Sequence, residues 1–321
     1  MKRKEHKYHH SNQIINLSCS YSTKYPYRCL YSSFSDTNTS HIHLIDYSTE
    51  TSSFIHLTQN NPSDNPYPPT SLKCIPKSMC YGDNFITSGE KLRLYNITES
   101  NTLFQLSTID DSFSNYPSCG FDWCCVNCDL ICCWYLNNTC SVWNVETSEI
   151  IISFGDQSKK QINDMKYSPT SPDLFVVSTQ EGTLQLTDIR INANSTTINV
   201  QSGLKTPLTK ISWNSVDSEK TFATFNEIGN ELFLIDIRNS QKPFKSINTT
   251  KGMIMVIDWS KSNADMISVG MTNRVCVMNV NTNETVWEME IEDEISDLCW
   301  SKVKDDLICV SIGNDIVYYS H

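Results

Sequence analysis

The residues best equipped for chemistry in this chain are its thiols. Fourteen cysteines occur in 321 residues, and seven of them, Cys119, Cys124, Cys125, Cys128, Cys132, Cys133 and Cys140, crowd one short stretch. Cys125-x-x-Cys128 has the spacing of half a zinc knuckle. The other half does not follow: Cys132 and Cys133 lie in an apolar strand, where adjacent side chains face opposite ways and cannot both turn toward one tetrahedral ion. Cysteine also fills cores as a small hydrophobe, so these residues are read as core and no metal is assigned. Six of the seven histidines precede residue 57, including His9-His10 and His41-Ile42-His43. His41 and His43 share a strand face, but no third ligand at matching spacing accompanies them, and a solvated or hydrogen-bonded pair is expected. Neither a Gly-x-Ser-x-Gly elbow nor a Gly-x-x-x-x-Gly-Lys phosphate loop is present, and ten glycines leave little backbone for cradling phosphate. No catalytic residue and no cofactor are assigned, and the chain is not expected to be an enzyme.

Composition narrows the partners. A net charge of −11 opposes direct nucleic-acid binding, which draws on Lys and Arg displacing counterions from phosphates. The longest apolar run, Leu130 to Leu136, is far shorter than the roughly 18 residues of a membrane span. The charged start, Met1-Lys2-Arg3-Lys4-Glu5-His6-Lys7, does not read as a secretory signal. Reduced thiols, unmodified Asn-x-Ser/Thr matches and a place in the cytoplasm and nucleus are therefore expected.

The elements that position these residues follow from a period. Apolar strand-like segments place a large or sulfur-bearing residue at Cys19, Cys74, Trp123, Tyr167, Trp213, Trp259 and Trp300, with spacings of 55, 49, 44, 46, 46 and 41. A second landmark, Asp or Asn closing another apolar segment, recurs at Asp46, Asn96, Asn144, Asp188, Asp236 and Asn279, spaced 50, 48, 44, 48 and 43. Either side chain can accept a hydrogen bond from the backbone two residues on, which explains why the two types interchange. With further apolar runs such as Leu174 to Ser178 and Ile150 to Phe154, each unit holds about four short strands, the content of one propeller blade. Seven units predict an all-β, seven-bladed β-propeller spanning residues 1–321 as a single domain. The last unit reaches His321 after three strands, so Lys2 to Ser11, within residues 1–12, is expected to supply its fourth and remove an exposed edge.

Longer stretches carry a resemblance. Lys2-Arg3-Lys4-Glu5, Asn65-Pro66-Tyr67-Pro68 with Leu72 and Ile75-Pro76, Thr87-Ser88-Gly89 with Leu92-Arg93, Phe121-Asp122-Trp123, Thr139-Cys140-Ser141-Val142-Trp143 with Glu146-Thr147, Asp188-Ile189-Arg190, Asp236-Ile237-Arg238, and Glu294-Ile295 leading to Trp300 run in collinear order. Together they resemble the WD-repeat family of the plant TRANSPARENT TESTA GLABRA protein and its animal counterpart, a DDB-and-cullin-associated factor that partners dual-specificity kinases. The Gly-His and Trp-Asp pairs that name WD repeats are missing, which marks a divergent member. The resemblance implies a WD40-type propeller acting as a non-catalytic scaffold. Plant members bridge basic helix-loop-helix and MYB transcription factors; animal members bind protein kinases and are proposed cullin-4 ligase receptors.

Partner-binding candidates follow. Receptors for the cullin-4 adaptor usually carry Trp-Asp-x-Arg, and this chain offers Asp188-Ile189-Arg190 and Asp236-Ile237-Arg238 without the Trp. Arg190 and Arg238 either project at strand ends to grip a carboxylate on the adaptor or pair locally beside a turn. Glu288, Glu290, Glu292, Asp293 and Glu294 form an acidic run before the last blade, and the run places Glu292 and Asp293 on the propeller rim. The loop from Gln59 to Thr70 presents Tyr67 among Pro66, Pro68 and Pro69, which restrict the backbone and lower the ordering cost of a contact. That loop reads equally well as a packed connection between blades.

Overall fold

The structure is a computed structural model that describes all residues except 1–4, 36–38, 59–62, 66, 77–82, 110–115, 156–159, 192–194, 201–205, 217–219, 229, 240–241, 250–251 and 321. After β1 (Glu5–His9), sheet I holds β2 (Gln13–Cys19), β3 (Cys29–Phe34), β4 (Ser40–Ser48) and β5 (Ser53–His56), with β6 (Ser63–Asn65) also paired to β4. Sheet II holds β7 (Ser71–Cys74), β8 (Asp83–Ser88), β9 (Leu92–Ile97) and β10 (Leu103–Ile109). Sheet III holds β11 (Ser118–Trp123), β12 (Leu130–Tyr135), β13 (Thr139–Asn144) and β14 (Glu149–Gly155). Sheet IV holds β15 (Ile162–Tyr167), β16 (Leu174–Thr179), β17 (Thr183–Asp188) and β18 (Ser195–Asn199). Sheet V holds β19 (Leu208–Trp213), β20 (Thr221–Asn226), β21 (Glu231–Asp236) and β22 (Lys245–Asn248). Sheet VI holds β23 (Ile254–Trp259), β24 (Met266–Met271), β25 (Arg274–Asn279) and β26 (Thr285–Glu290). Sheet VII holds β27 (Ile295–Trp300), β28 (Leu307–Ile312) and β29 (Asp315–Ser320), and takes β1 as its fourth strand. The fold is an all-β, seven-bladed propeller, with no α-helix among the described residues.

The chain divides into two compact units. Residues 1–119 with 293–321 carry sheets VII, I and II; residues 120–292 carry sheets III to VI, whose β11 begins two residues earlier. The β1 register runs from Glu5 opposite Tyr319 to His9 opposite Asp315. Asp315 fixes that strand end by accepting from Lys7 Nζ and His9 Nδ1, each at 2.7 Å. Edge pairing of β29 is thereby satisfied, as the N-terminal segment was expected to do.

Both sequence periods have structural meaning. Cys19, Cys74, Trp123, Tyr167, Trp213, Trp259 and Trp300 are each the last residue of the first strand of a sheet. Asn144, Asp188, Asp236 and Asn279 each end a third strand, and their side-chain oxygens accept backbone N–H groups two residues on, from Glu146, Arg190, Arg238 and Asn281. Asp and Asn thus do the same work, since only an oxygen acceptor is needed. Two landmarks depart from this. Asp46 lies inside β4 and accepts from Tyr47 N, and Asn96 donates to Asn84 Oδ1, while the next turn is held by Thr98 Oγ1. Central strands such as β12 and β28 are buried throughout, which is why Leu130 to Tyr135 are all apolar, while Leu136, just past β12, is exposed; the edge strands β10 and β26 are half-exposed.

A repeated polar strut ties neighbouring sheets together within each unit. The residue before the landmark accepts the landmark N–H of the following sheet: Ser18 from Cys74, Asp122 from Tyr167, and Ser212 from Trp259. Three residues before the landmark, Asp164 accepts from Ile211 N and Asp297 from Leu17 N. These first-strand amides have no ladder partner on that side, so each strut satisfies a donor that would otherwise be buried unpaired.

Candidate partner-binding surface

The Asp-x-Arg segments occupy the same end of the neighbouring sheets IV and V. The strands expected to run through Arg190 and Arg238 stop at Asp188 and Asp236, and both arginines lie on one-turn 3-10 helices, Ile189–Ile191 and Ile237–Asn239. The cause is the aspartate: once its oxygen has taken the arginine N–H, the backbone is turned out of the ladder. The guanidinium then folds back onto the same carboxylate. Arg190 Nε donates to Asp188 Oδ1 at 3.0 Å and Nη2 to Oδ2 at 2.7 Å; Arg238 repeats the fork on Asp236, with Nε to Oδ1 at 3.0 Å. Local pairing, the second of the two sequence readings, is what forms. The guanidinium beside each carboxylate holds it below the ordinary carboxylate range. The forks stay on the surface, with side-chain exposures of 65% and 62%, and Asp173 stands 3.7 Å from Arg190 Nε. Each fork consumes Nε and one Nη2 hydrogen, leaving the far guanidinium edge outside the pair. Ile191, which is exposed, follows Arg190 directly and had no sequence signal beyond being apolar beside a turn.

Tyr67 is 60% exposed, while Pro69 next to it is anchored through its carbonyl, which accepts Asn16 Nδ2 at 2.7 Å. The expected loop from Gln59 to Thr70 is not wholly a loop, because Ser63–Asn65 pairs with Ser40 to Ile42 of β4; Pro66 lies outside the described residues, as do Lys2, Arg3 and Lys4. Glu292 and Asp293 are exposed, and Asp293 lies against Gly313, whose φ of +55° suits glycine and where a Cβ would stand 3.0 Å from Asp293 Oδ2. Upstream in the acidic run, Arg274 meets Glu288 at 3.3 Å and Glu290 at 3.9 Å. The two forks lie on the second unit and Tyr67 on the first, while Glu292 and Asp293 are consecutive residues on either side of the boundary between the units.

Relatives agree with this architecture. The chain is 25% identical over 321 residues to a protein of Dictyostelium discoideum named DDB1- and CUL4-associated factor 7 homolog, covering 94% of each chain. A WD repeat-containing protein of Saccharomyces cerevisiae is 22% identical over 69% of this chain, and one of Schizosaccharomyces pombe 26% identical over 61%. Two of these relatives are WD-repeat proteins by name, and the seven sheets of this chain fit that description. The chain spans 49% and 51% of the lengths of the two yeast proteins, and no family model matches it. No described helix is long and apolar enough to cross a membrane.

The other chemical candidates of the chain lie elsewhere. Cys132 and Cys133 are buried and consecutive in β12, and the Cys133 thiol donates to Tyr135 Oη at 3.1 Å and Ser141 O at 3.6 Å. Among the described residues, the metal-ligand set that converges is another one, Cys19, Cys299 and Cys309. The histidines also gather differently from expectation. His43 is buried, accepts or donates to Ser33 Oγ at 2.9 Å and lies 3.2 Å from His56 Nε2 through its Nδ1, while His10 packs 4.7 Å from it between ring centroids. Tyr8 Oη joins His56 Nδ1 at 2.9 Å and Tyr31 Oη at 3.2 Å. Burial, with the neighbouring imidazoles, pushes His43 down to about 3, and burial lowers His10 and His56. Spacing along one strand could not reveal a cluster assembled from the end of β1, β4 and β5.

Proposed function

We propose that this chain is a non-catalytic WD-repeat scaffold that assembles transcription-factor or protein-kinase complexes in the cytoplasm and nucleus, with the ends of sheets IV and V as one docking face. The observation that carries the reading is the pair of exposed Asp–Arg forks on neighbouring sheets, each presenting a held guanidinium edge. An arginine already locked by a carboxylate loses less side-chain entropy on binding, and its planar edge suits a carboxylate or carbonyl of a protein partner. Tyr67, Glu292 and Asp293 are proposed as further contact points. A second reading, as a substrate receptor of a cullin-4 ligase, is favoured by one finding: the Dictyostelium relative matched along 94% of both chains carries DDB1 and CUL4 in its name.

Affinity purification with mass spectrometry tests both readings on the full-length chain, comparing wild type with Arg190→Ala/Arg238→Ala and with Tyr67→Ala/Glu292→Lys. Kinases or transcription factors enriched by wild type and lost in the fork variant support the scaffold and its face. Enrichment of cullin-4 and its adaptor, with direct adaptor binding lost on Arg190→Ala/Arg238→Ala, supports the receptor instead. Unchanged partners in the fork variant remove the proposed face.

A further inference from the structure

The structure points to a buried metal site that is separate from any docking face. Cys19 ends β2, while Cys299 and Cys309 sit directly opposite one another on β27 and β28. Cys19 Sγ lies 3.2 Å from Cys299 Sγ and 3.2 Å from Cys309 Sγ, and the three sulfurs fall within 4.8 Å of one another. Cys19 and Cys309 are buried and Cys299 is partly so, with Tyr27, Tyr31 and Tyr318 in the surrounding core.

This composition is peculiar to one seam. Where sheet V meets sheet VI, the corresponding positions hold Trp259 as landmark and Ser212 opposite Ala223. Where sheet I meets sheet II they hold Cys74, with Ser18 opposite Leu30, and where sheet IV meets sheet V they hold Trp213, with Lys166 opposite Val176. Among the described residues, no second set of three thiols converges at those seams. Cysteine packs as a small hydrophobe and its S–H is a weak donor, so packing alone does not call for three thiols at the seam between sheets VII and I.

We propose that Cys19, Cys299 and Cys309 form a three-sulfur site for Cu(I). Thiolates select soft ions, chiefly Cu(I) and Zn(II). A structural zinc site requires four ligands and a catalytic one an open position for water. Cys29, opposite Cys19 on β3, has its thiol beside Ser18 O at 3.3 Å and Leu30 O at 3.4 Å and lies outside the set of three sulfurs that fall within 4.8 Å of one another. Three-coordinate Cu(I) meets the donor set as it stands. Binding breaks S–H bonds and forms S–Cu bonds, with the protons released to solvent; the copper enters and stays as Cu(I), so no electron moves.

The test is anaerobic titration of the full-length protein with Cu(I) held by a bicinchoninate competitor, with X-ray absorption at the copper edge. Because eleven further cysteines compete, Cys125→Ser/Cys128→Ser serves as the control and Cys299→Ser and Cys309→Ser as the site variants, each checked for its β-sheet circular dichroism. The proposal expects one equivalent bound at least 100-fold more tightly than the rest, three sulfur neighbours, a raised melting temperature, and loss of all three in folded Cys299→Ser or Cys309→Ser but not in the control. Tight copper that survives the site variants, or Zn(II) that outcompetes Cu(I) at these cysteines, overturns it. If both site variants fail to fold, iodoacetamide footprinting of wild type decides: protection of Cys299 that does not increase with Cu(I) also overturns it.

Discussion

Two seams within this molecule solve the same packing problem with opposite chemistry. Between sheets V and VI, Trp259 is 2% exposed, donates from Nε1 to Ala264 O at 2.8 Å, and shares a core with Ala223, Leu234 and Met271. Between sheets VII and I the same position is Cys19, in a core of thiols and tyrosines, and the imidazoles of His10, His43 and His56 pack around Tyr31 of that core. One seam is a large ring in an apolar slot. The other is a polarisable and titratable assembly built where the two ends of the sequence meet. A repeat can evidently keep its backbone struts, such as Ser212 to Trp259 N and Asp297 to Leu17 N, while the side chains between them diverge. What distinguishes the VII–I seam is therefore side-chain chemistry, which can respond to metal and to protons.

The largest effect should come from removing the strand that completes sheet VII. Deleting residues 1–12 takes away the five-residue β1 ladder, the Asp315 pairs and the Tyr8 ring, and leaves the β29 edge open. Sheets VII and I should lose hydrogen-exchange protection and the first melting transition should fall by roughly ten degrees or more, since a loss of several kcal/mol shifts Tm by a few degrees per kcal/mol. An unchanged melting temperature would show that β1 contributes nothing to the seam. Next in size is Trp259→Ala, expected to cost about 3–5 kcal/mol because the slot cannot collapse around the missing ring. Cys19→Ala, at the equivalent position, should cost only about 1–2 kcal/mol in metal-free protein. Urea unfolding of the two variants checks the ratio, and equal losses would mean that the thiol seam is packed as demandingly as the tryptophan slot.

Protons should separate the seams next. His43, His10 and His56 are held neutral by burial, with His41, Tyr8 and Tyr31 facing them. Their folded-state values lie below the unfolded value near 6.5, so the unfolded chain binds more protons in acid. The stability they confer is complete above about 6.5 and is lost as pH falls toward the folded value of about 3 at His43. A decline of roughly 2–4 kcal/mol is expected over that window. Sheets III to VI contain no histidine, so hydrogen exchange at pH 5 against pH 7 should open residues 5–57 and spare residues 208–280. His43→Gln, which keeps a partner for Ser33, should flatten the response; equal acid sensitivity in both regions would assign it to carboxylates instead.

How much of this could be read in the sequence follows the same division. The seven landmarks fell at the ends of seven first strands, because a position that packs against the neighbouring blade is constrained in size at every repeat. The Asp and Asn turns were legible at Asn144, Asp188, Asp236 and Asn279, where the interaction spans two residues. They failed at Asp46 and Asn96, where threonine or serine hydroxyls cap the turn instead. The thiol set was invisible, because Cys19 and Cys299 are 280 residues apart and neither Cys299 nor Cys309 sits at a landmark. The visible cluster, Cys119 to Cys140, drew notice by density alone. Its members are set by local strands, and consecutive residues of a strand diverge.

The smallest effects should lie in the struts, and they sharpen the comparison most cleanly because they leave both seams' side-chain packing in place. Ser212 Oγ accepts Trp259 N at 2.8 Å and meets Asp258 Oδ1 at 3.1 Å. Ser212→Ala strands a buried N–H and should cost about 1–2 kcal/mol. Asp297 accepts Leu17 N at 3.1 Å with one oxygen and Leu298 N at 3.0 Å with the other. Asp297→Asn keeps one acceptor oxygen and should cost under about 1 kcal/mol, provided that the amide turns its oxygen toward Leu17. Double-mutant cycles then separate backbone from side chain. Asp297→Asn with Cys19→Ala should be additive within about 0.5 kcal/mol if strut and thiols are independent devices. A coupling well above that value would mean that the strut aims Cys19 at Cys299 and Cys309, so that the backbone repeat and the thiol chemistry are one construction.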